Sequence, residues 1–97
     1  MTWSVAVTDT AKAMLLKLSK RDQNSVVSRM HQLADKPDQQ GRPLSGDLSG
    51  YRRVRTGRLR IIYRTERNTN TVYIVVLGLR RAGDRSDVYE AAKKITR

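Results

Sequence analysis

Residues 51–63 read Tyr-Arg-Arg-Val-Arg-Thr-Gly-Arg-Leu-Arg-Ile-Ile-Tyr, and the predicted architecture is built around them. Arginines alternate with apolar residues on both sides of the Thr-Gly pair at 56–57, a pattern typical of two strands joined by a tight turn. Successive side chains of a strand point to opposite faces of a sheet. The hairpin therefore predicts one face with Leu59, Ile61 and Tyr63, packed on helices, and an opposite face rich in arginine.

The segments before this hairpin predict a strand followed by two helices. Residues 3–7 alternate apolar and small side chains, as a short strand does. Thr8 or Asp9 can cap a first helix, residues 19–22 break the pattern, and a second helix should end before Pro37, because proline disfavours helical backbone in the residue ahead of it. Apolar residues recur at helical spacing in both helices, which predicts a helical hairpin with one apolar face.

The remaining segments complete an α+β fold. Residues 38–50, which contain glycines and a proline, form a predicted loop that leads into hairpin strands at 51–55 and 58–66. Residues 71–79 are apolar on both faces, which indicates a central strand covered on both sides. Residues 86–95 predict a C-terminal helix. The order is β-α-α-β-β-β-α, with an antiparallel-rich sheet and the helical hairpin on one face.

The composition indicates an anionic partner. The 97 residues contain 20 Lys and Arg against 9 Asp and Glu, a net charge of +11. Six arginines and no acid lie between Arg52 and Arg64, and guanidinium groups bind phosphate oxygens in a bidentate fork, so nucleic acid is favoured over a membrane surface. Without cysteine or a long apolar run, we expect a cytoplasmic protein with no membrane partner, folded as a single domain over residues 1–97.

Strand parity predicts where the basic side chains meet. Arg53 and Arg55 share one face of the first hairpin strand, and Arg60 lies on the same side of the second. On the central strand, the even-numbered residues of 72–78 are assigned to the face that leads to Arg80. The final helix brings a phenol nearby. The predicted patch consists of Arg53, Arg55, Arg60, Arg80 and Tyr89.

Such a patch suits cleavage of RNA without a metal ion or another cofactor. The ribose 2′-hydroxyl attacks the adjacent phosphate, and fixed guanidinium groups stabilise the negative charge that develops. The proton-transfer group is left open between Tyr89, an arginine and groups outside the protein. His31, the only histidine, lies on the second predicted helix and is expected at the surface or an interface. Asp84 and Asp87 are expected as salt-bridge partners or as charges at a helix N-terminus.

Two segments carry a resemblance to a known family. Residues 48–63 contain a loop with Leu and Gly, a basic strand, a tight turn and a strand with Arg, two apolar residues and Tyr. Residues 75–80 and 85–89 contain an apolar run with Gly and Arg, followed by Val-Tyr. Together they resemble the RelE/ParE superfamily of toxins from type II toxin–antitoxin systems, and the RelE-like branch most. The similarity spans nearly the whole chain.

The resemblance implies a ribosome-dependent mRNA endoribonuclease toxin that inhibits translation and is neutralised by a cognate antitoxin protein. Its RNA partners would be mRNA in the ribosomal A site and ribosomal RNA. By this analogy Arg60 and Arg80 steady the scissile phosphate, Tyr89 stacks on a base or orients the 2′-hydroxyl, and Arg53 and Arg55 complete the catalytic set. Further arginines are expected to contact RNA: Arg52, Arg58, Arg64, Arg81 and Arg85.

Two departures from the family pattern leave alternatives open. RelE relatives often carry Lys where this chain has Arg53 and Arg55, and residues 81–84 lengthen the connection between Arg80 and Tyr89. The main alternative is a ParE-like toxin, which shares the fold but inhibits DNA gyrase by protein contact and cleaves no RNA. A basic RNA-binding module without activity is the third interpretation.

Overall fold

A computed structural model describes residues 2–80 and 87–96 of the chain. Within them, five strands form one sheet: β1 (Ser4–Val7), β2 (Arg42–Pro43), β3 (Arg52–Thr56), β4 (Leu59–Glu66) and β5 (Thr71–Leu79). Their order across the sheet is β1-β5-β4-β3-β2, and every pairing is antiparallel except that of β1 with β5. The helices are α1 (Asp9–Leu16), α2 (Lys20–Gln32) and α3 (Val88–Thr96). The predicted α+β fold is therefore confirmed, including the central position of β5.

The helical hairpin starts and turns at side-chain caps. Thr8 is the cap of α1, and its hydroxyl accepts a hydrogen bond from the Ala11 backbone N–H. Ser19 caps α2 in the same way through the N–H of Asp22. Because Ser19 is a cap, residues 20–22 already form the first turn of α2, and the break between the helices is shorter than predicted.

The sheet is covered on both faces. One core lies between the sheet and the α1–α2 hairpin, where Leu59, Ile61 and Tyr63 of β4 are buried as predicted. A second core lies beneath α3 on the opposite face and includes Val88 and Ala92 of that helix. No helix within residues 2–80 and 87–96 is both long enough and apolar enough to cross a membrane.

A β-bulge corrects the predicted parity of β5. Ile62 of β4 pairs with Val76, whereas the next residue, Tyr63, pairs with Ile74, so Val75 is the extra residue on β5. Side chains of Val75 and Val76 therefore both belong to the core beneath α3. The prediction that all even-numbered residues of 72–78 share one face is wrong, since Val72 and Ile74 are in the hairpin-side core.

The predicted loop at 38–50 has structure of its own. It contains short 3₁₀ turns at Pro37–Gln39 and Gly46–Leu48, and between them β2 pairs with β3. Pro43 has no N–H to offer another strand, which suits an edge position. This segment extends the sheet beside the arginines of β3.

Candidate functional site

The β-hairpin of β3 and β4 brings Arg53, Arg55 and Arg60 to the face opposite α1 and α2. Val54 is buried in the core between the sheet and the α1–α2 hairpin, so its neighbours Arg53 and Arg55 point to the other face. Arg55 lies directly across from Arg60, and Arg60 lies across from Gly78 of β5. A Cβ at Gly78 would meet the side chain of Val88 at 3.8 Å, so the first turn of α3 packs closely over this point of β5.

These side chains line an open pocket of about 410 Å³, called here the basic pocket. Its lining residues are Leu44, Arg53, Arg55, Arg60, Arg80 and Tyr89. The structure thus brings together the five side chains that strand parity assigned to one patch. Leu44 was missed, because it lies in the segment predicted as a loop. Its backbone N–H donates to the carbonyl of Tyr51, which continues the pairing of β2 with β3.

Tyr89 makes contacts with two of the arginines. Nη1 of Arg53 donates to the Tyr89 hydroxyl at 3.3 Å. The guanidinium of Arg80 lies over the Tyr89 ring, 4.7 Å from its centroid, a cation–π geometry. The phenol from α3 is therefore held between β3 and the end of β5.

Asp87 joins the same cluster from the residue before α3. Its Oδ2 accepts from Nη1 of Arg80 at 2.9 Å and from the backbone N–H of Tyr89 at 3.2 Å. The sequence predicted a salt bridge or a helix N-terminal charge for Asp87, and both are confirmed. Asp84 lies outside the described residues.

The electrostatics of the basic pocket favour an anion. The Nε atoms of Arg53 and Arg60 are buried and have no hydrogen-bond partner among residues 2–80 and 87–96. Arg55 and Arg60 place two like charges opposite each other, which is unfavourable on a sheet. An oxyanion in the basic pocket would accept hydrogen bonds from the guanidinium groups that line it and would offset the repulsion.

Three of the other arginines predicted to contact RNA are described by the structure, and all three lie apart from this pocket. Arg52 points to the face of the sheet that α1 and α2 cover, where its Nε donates to the Gln40 carbonyl at 2.9 Å. Arg58 lies in the β3–β4 turn and lines a different polar pocket, at the start of α2. Arg64 stacks over the Tyr73 ring at 4.3 Å, further along β4.

Of the three remaining residues singled out from the sequence, the structure describes only His31. Arg81 and Arg85 lie outside the described residues. His31 is exposed, as expected, and lines an apolar groove beside Trp3 and Val5 rather than the basic pocket.

Comparison with known families assigns the chain to a class of small toxins. The family model described as the ParE toxin of type II toxin–antitoxin system, parDE, matches residues 5–82. The chain therefore belongs to the ParE toxin family, within the RelE/ParE superfamily, and is a toxin of a type II toxin–antitoxin system. The resemblance noted from the sequence is confirmed.

Solved structures of RelE toxins share the fold. A chain of the RelBE2 toxin–antitoxin complex from Mycobacterium tuberculosis is 32% identical, with a TM-score of 0.78 over 82% of this chain and 93% of that chain. A free mutant of the E. coli toxin RelE is 20% identical, with a TM-score of 0.76 over 98% and 99% of the two chains. The archaeal RelE–RelB complex from Pyrococcus horikoshii is 22% identical, with a TM-score of 0.67 over 86% and 100%. The last two show the fold alone. No curated protein sequence matches the chain.

Proposed function

We propose that this toxin is a ribosome-dependent endoribonuclease that cuts translated mRNA without a metal ion and so inhibits translation. The observation that carries the proposal is the basic pocket, in which four guanidinium groups and one phenol surround a space open to solvent. The like charges of Arg55 and Arg60, directly opposite each other on the sheet, add a demand for an anion between them. A phosphodiester in the pocket would meet that demand.

The reaction that fits these groups is an attack of the ribose 2′-oxygen on the adjacent phosphorus. The bond from phosphorus to the 5′-oxygen breaks, which leaves a 2′,3′-cyclic phosphate and a 5′-hydroxyl end. Negative charge gathers on the phosphoryl oxygens in the transition state, where Arg60 and Arg80 donate hydrogen bonds to them. Removing one such preorganised donor typically costs about 10²–10³-fold in rate.

Tyr89 is suited to orienting the attacking group. Its hydroxyl accepts a hydrogen bond from Arg53, which leaves the phenol proton available for a bond to the 2′-oxygen. Because Arg80 already covers the ring, orientation through the hydroxyl is favoured over stacking of the ring on a base. Because this phenol keeps its proton, the proton of the 2′-hydroxyl passes to a group of the substrate or ribosome, and the departing 5′-oxygen takes a proton from water in the open pocket.

The proposed regulator is a cognate antitoxin protein. The RelBE2 and archaeal RelE–RelB structures are complexes of toxin with antitoxin. For this chain we propose an antitoxin segment whose carboxylates meet the arginines of the basic pocket. Complementary charges would speed its association and exclude RNA from the same donors.

The family name supports a second candidate function. A model of ParE toxins matches most of the chain, and a ParE-like toxin would inhibit DNA gyrase by protein contact. That activity makes no use of the Arg53–Tyr89 contact or of the Arg80 guanidinium held over the Tyr89 ring. We therefore rank it below RNA cleavage.

One experiment separates the two functions. The toxin is added to a cell-free translation reaction on a defined mRNA, new 5′ ends are mapped, and supercoiling by purified gyrase is measured in parallel. We expect cuts inside the reading frame, no inhibition of gyrase, and loss of cutting by about 10²-fold in Arg60→Gln. Arg67→Gln is the matched control, because that side chain is 80% exposed beyond the opposite end of β4. Inhibited gyrase with intact mRNA would reject the nuclease proposal.

A further inference from the structure

The Asp87 carboxylate is the one acidic group that contacts the basic pocket within residues 2–80 and 87–96. Its side chain is 2% exposed and stands immediately before α3. A single oxygen, Oδ2, accepts from Nη1 of Arg80 and from the backbone N–H of Tyr89. This oxygen links the chain just after β5 to the first turn of α3.

The contact with Asp87 fixes the position of Arg80. Arg80 follows the last residue of β5, its side chain is 45% exposed, and Asp87 is its only hydrogen-bond partner among the described residues. An arginine with so little support would otherwise sample many rotamers. The ion pair instead holds the guanidinium over the Tyr89 ring.

The same oxygen also fixes the position of Tyr89. As the residue before Val88, Asp87 is the N-cap of α3, and its bond to the Tyr89 N–H satisfies a backbone donor that has no partner within the helix. The first turn of α3 then directs the Tyr89 hydroxyl to Arg53. Both groups thus depend on one carboxylate.

We propose that Asp87 is the positioning residue of the basic pocket, which sets Arg80 and Tyr89 in their reactive arrangement without touching the RNA. The proposal rests on the nuclease function proposed above. An N-cap alone does not require a carboxylate, because Asn and Ser cap helices about as well. Pairing with the Arg80 guanidinium does require one, since a charged acceptor makes the stronger hydrogen bond.

Asp87→Asn separates the two roles. Asparagine has nearly the same shape and keeps the cap, but it lacks the charge that orients Arg80. Misplacing a catalytic group by about 1 Å can cost about 10²-fold in rate. In single-turnover cleavage on ribosomes programmed with a defined mRNA, we expect the rate at saturation to fall by about 10–100-fold. The half-saturating toxin concentration should stay within about threefold, because the lost contact does not touch RNA.

A double-mutant cycle tests whether Asp87 acts through Arg80. In an Arg80→Ala background, Asp87→Asn should slow cleavage by no more than about twofold, because its target is already gone. Glu90→Gln is the matched control: it removes another acid from the first turn of α3, one that is 47% exposed and points at Lys93. Its rate should match that of the wild type. An equal loss from Asp87→Asn in both backgrounds, or no loss in either, would overturn the proposal.

A spectroscopic readout keeps this inference separate from the nuclease proposal. Wild-type toxin that cuts no mRNA would reject the nuclease function, but the arrangement of Arg80 can still be measured. Nitrogen-15 NMR of arginine side chains should show hindered rotation of the Arg80 guanidinium in wild type and faster rotation in Asp87→Asn, with the signal assigned from Arg80→Lys. Unchanged rotation in Asp87→Asn would show that Asp87 does not position Arg80.

Discussion

Replacing Arg60 by methionine should stabilise the fold and abolish cleavage at the same time. Methionine keeps a flexible, unbranched apolar stem but removes the guanidinium group. In the wild type, the Nε of Arg60 is buried without a partner among residues 2–80 and 87–96, and Arg55 lies directly opposite. Both features destabilise the free toxin, so their removal should raise the free energy of unfolding.

The expected gain follows from the contacts of the Arg60 guanidinium. A buried donor without an acceptor costs about 1–3 kcal/mol, and like charges opposite each other on a sheet cost about 0.2–1 kcal/mol. Against this, Nη1 of Arg60 donates a hydrogen bond to the Arg58 carbonyl at 3.4 Å, which methionine would lose. Because this bond is long and exposed, its contribution to stability lies at the low end of the usual range of about 0.5–1.5 kcal/mol. A net gain of about 1–2 kcal/mol corresponds to a Tm higher by at least about 4 °C in a domain of this size.

Thermal and urea unfolding, followed by circular dichroism, measure this gain, and the cell-free cleavage reaction measures activity. Arg67→Met is the control: its Nε pairs with Asp38 at an exposed site, so the free energy of unfolding should change by no more than about 0.5 kcal/mol. Added salt should also stabilise the wild type more than Arg60→Met, because it screens repulsion between the arginines. An Arg60→Met toxin with an unchanged or lower Tm would refute the electrostatic reasoning, and one that still cleaves would refute the role of Arg60.

Three further predictions concern single side chains. Tyr89→Phe keeps the ring beneath Arg80 but removes the hydroxyl, so single-turnover cleavage should fall by about 10-fold or more while Tm changes little; unaltered cleavage would exclude the phenol from the reaction. Burial raises the pKa of Tyr63 above its usual 10.0, so the unfolded chain loses this proton first as the pH rises. The stabilising contribution of Tyr63 is therefore complete below about pH 10 and is lost as the pH rises from there through the raised pKa of the folded state, so in urea unfolding the advantage of wild type over Tyr63→Phe should shrink above about pH 10. Gly41→Ala should lower the free energy of unfolding by more than Gly46→Ala does. Both glycines have positive φ, a backbone conformation that costs about 1–3 kcal/mol when another residue adopts it. Only at Gly41 would the added Cβ also overlap the carbonyl oxygen of Arg53. Equal losses in urea unfolding would contradict this.

The faces of β3 and β4 could be predicted because apolar and basic residues alternate at residues 53–55 and 59–61, on either side of the turn that joins the strands. Val54 and Ile61 mark the buried side at every second position, so Arg53, Arg55 and Arg60 follow by parity. β5 carries no such information, since it is apolar on both faces. Its bulge at Val75 therefore leaves no trace in the sequence.

Arg80 was nevertheless assigned to the right face, and the position of the bulge explains why. The bulge precedes Val76, so the residues from Val76 through Gly78 keep the parity that pairs them with Ile62 and Arg60. β2 could not be predicted, because its two residues are too few to show a strand pattern. Leu44 follows β2 directly, so its place in the pocket could not be predicted either. The sequence offered Asp87 two roles, as a helix cap and as an arginine partner, but it could not show that one carboxylate oxygen fills both.

The arrangement of the arginines links the proposed activity to its proposed control. Guanidinium donors of like charge, held close together, make the free toxin less stable than an apolar surface would, yet the chain concentrates them in one pocket. A ligand that binds only the folded state stabilises it by an amount that grows with the logarithm of the ligand concentration relative to Kd. Phosphate oxygens of mRNA and carboxylates of an antitoxin would both satisfy these donors, so each would relieve the same destabilisation. Cleavage and neutralisation would then compete for one set of guanidinium groups, and a substitution that relaxes the pocket would weaken both.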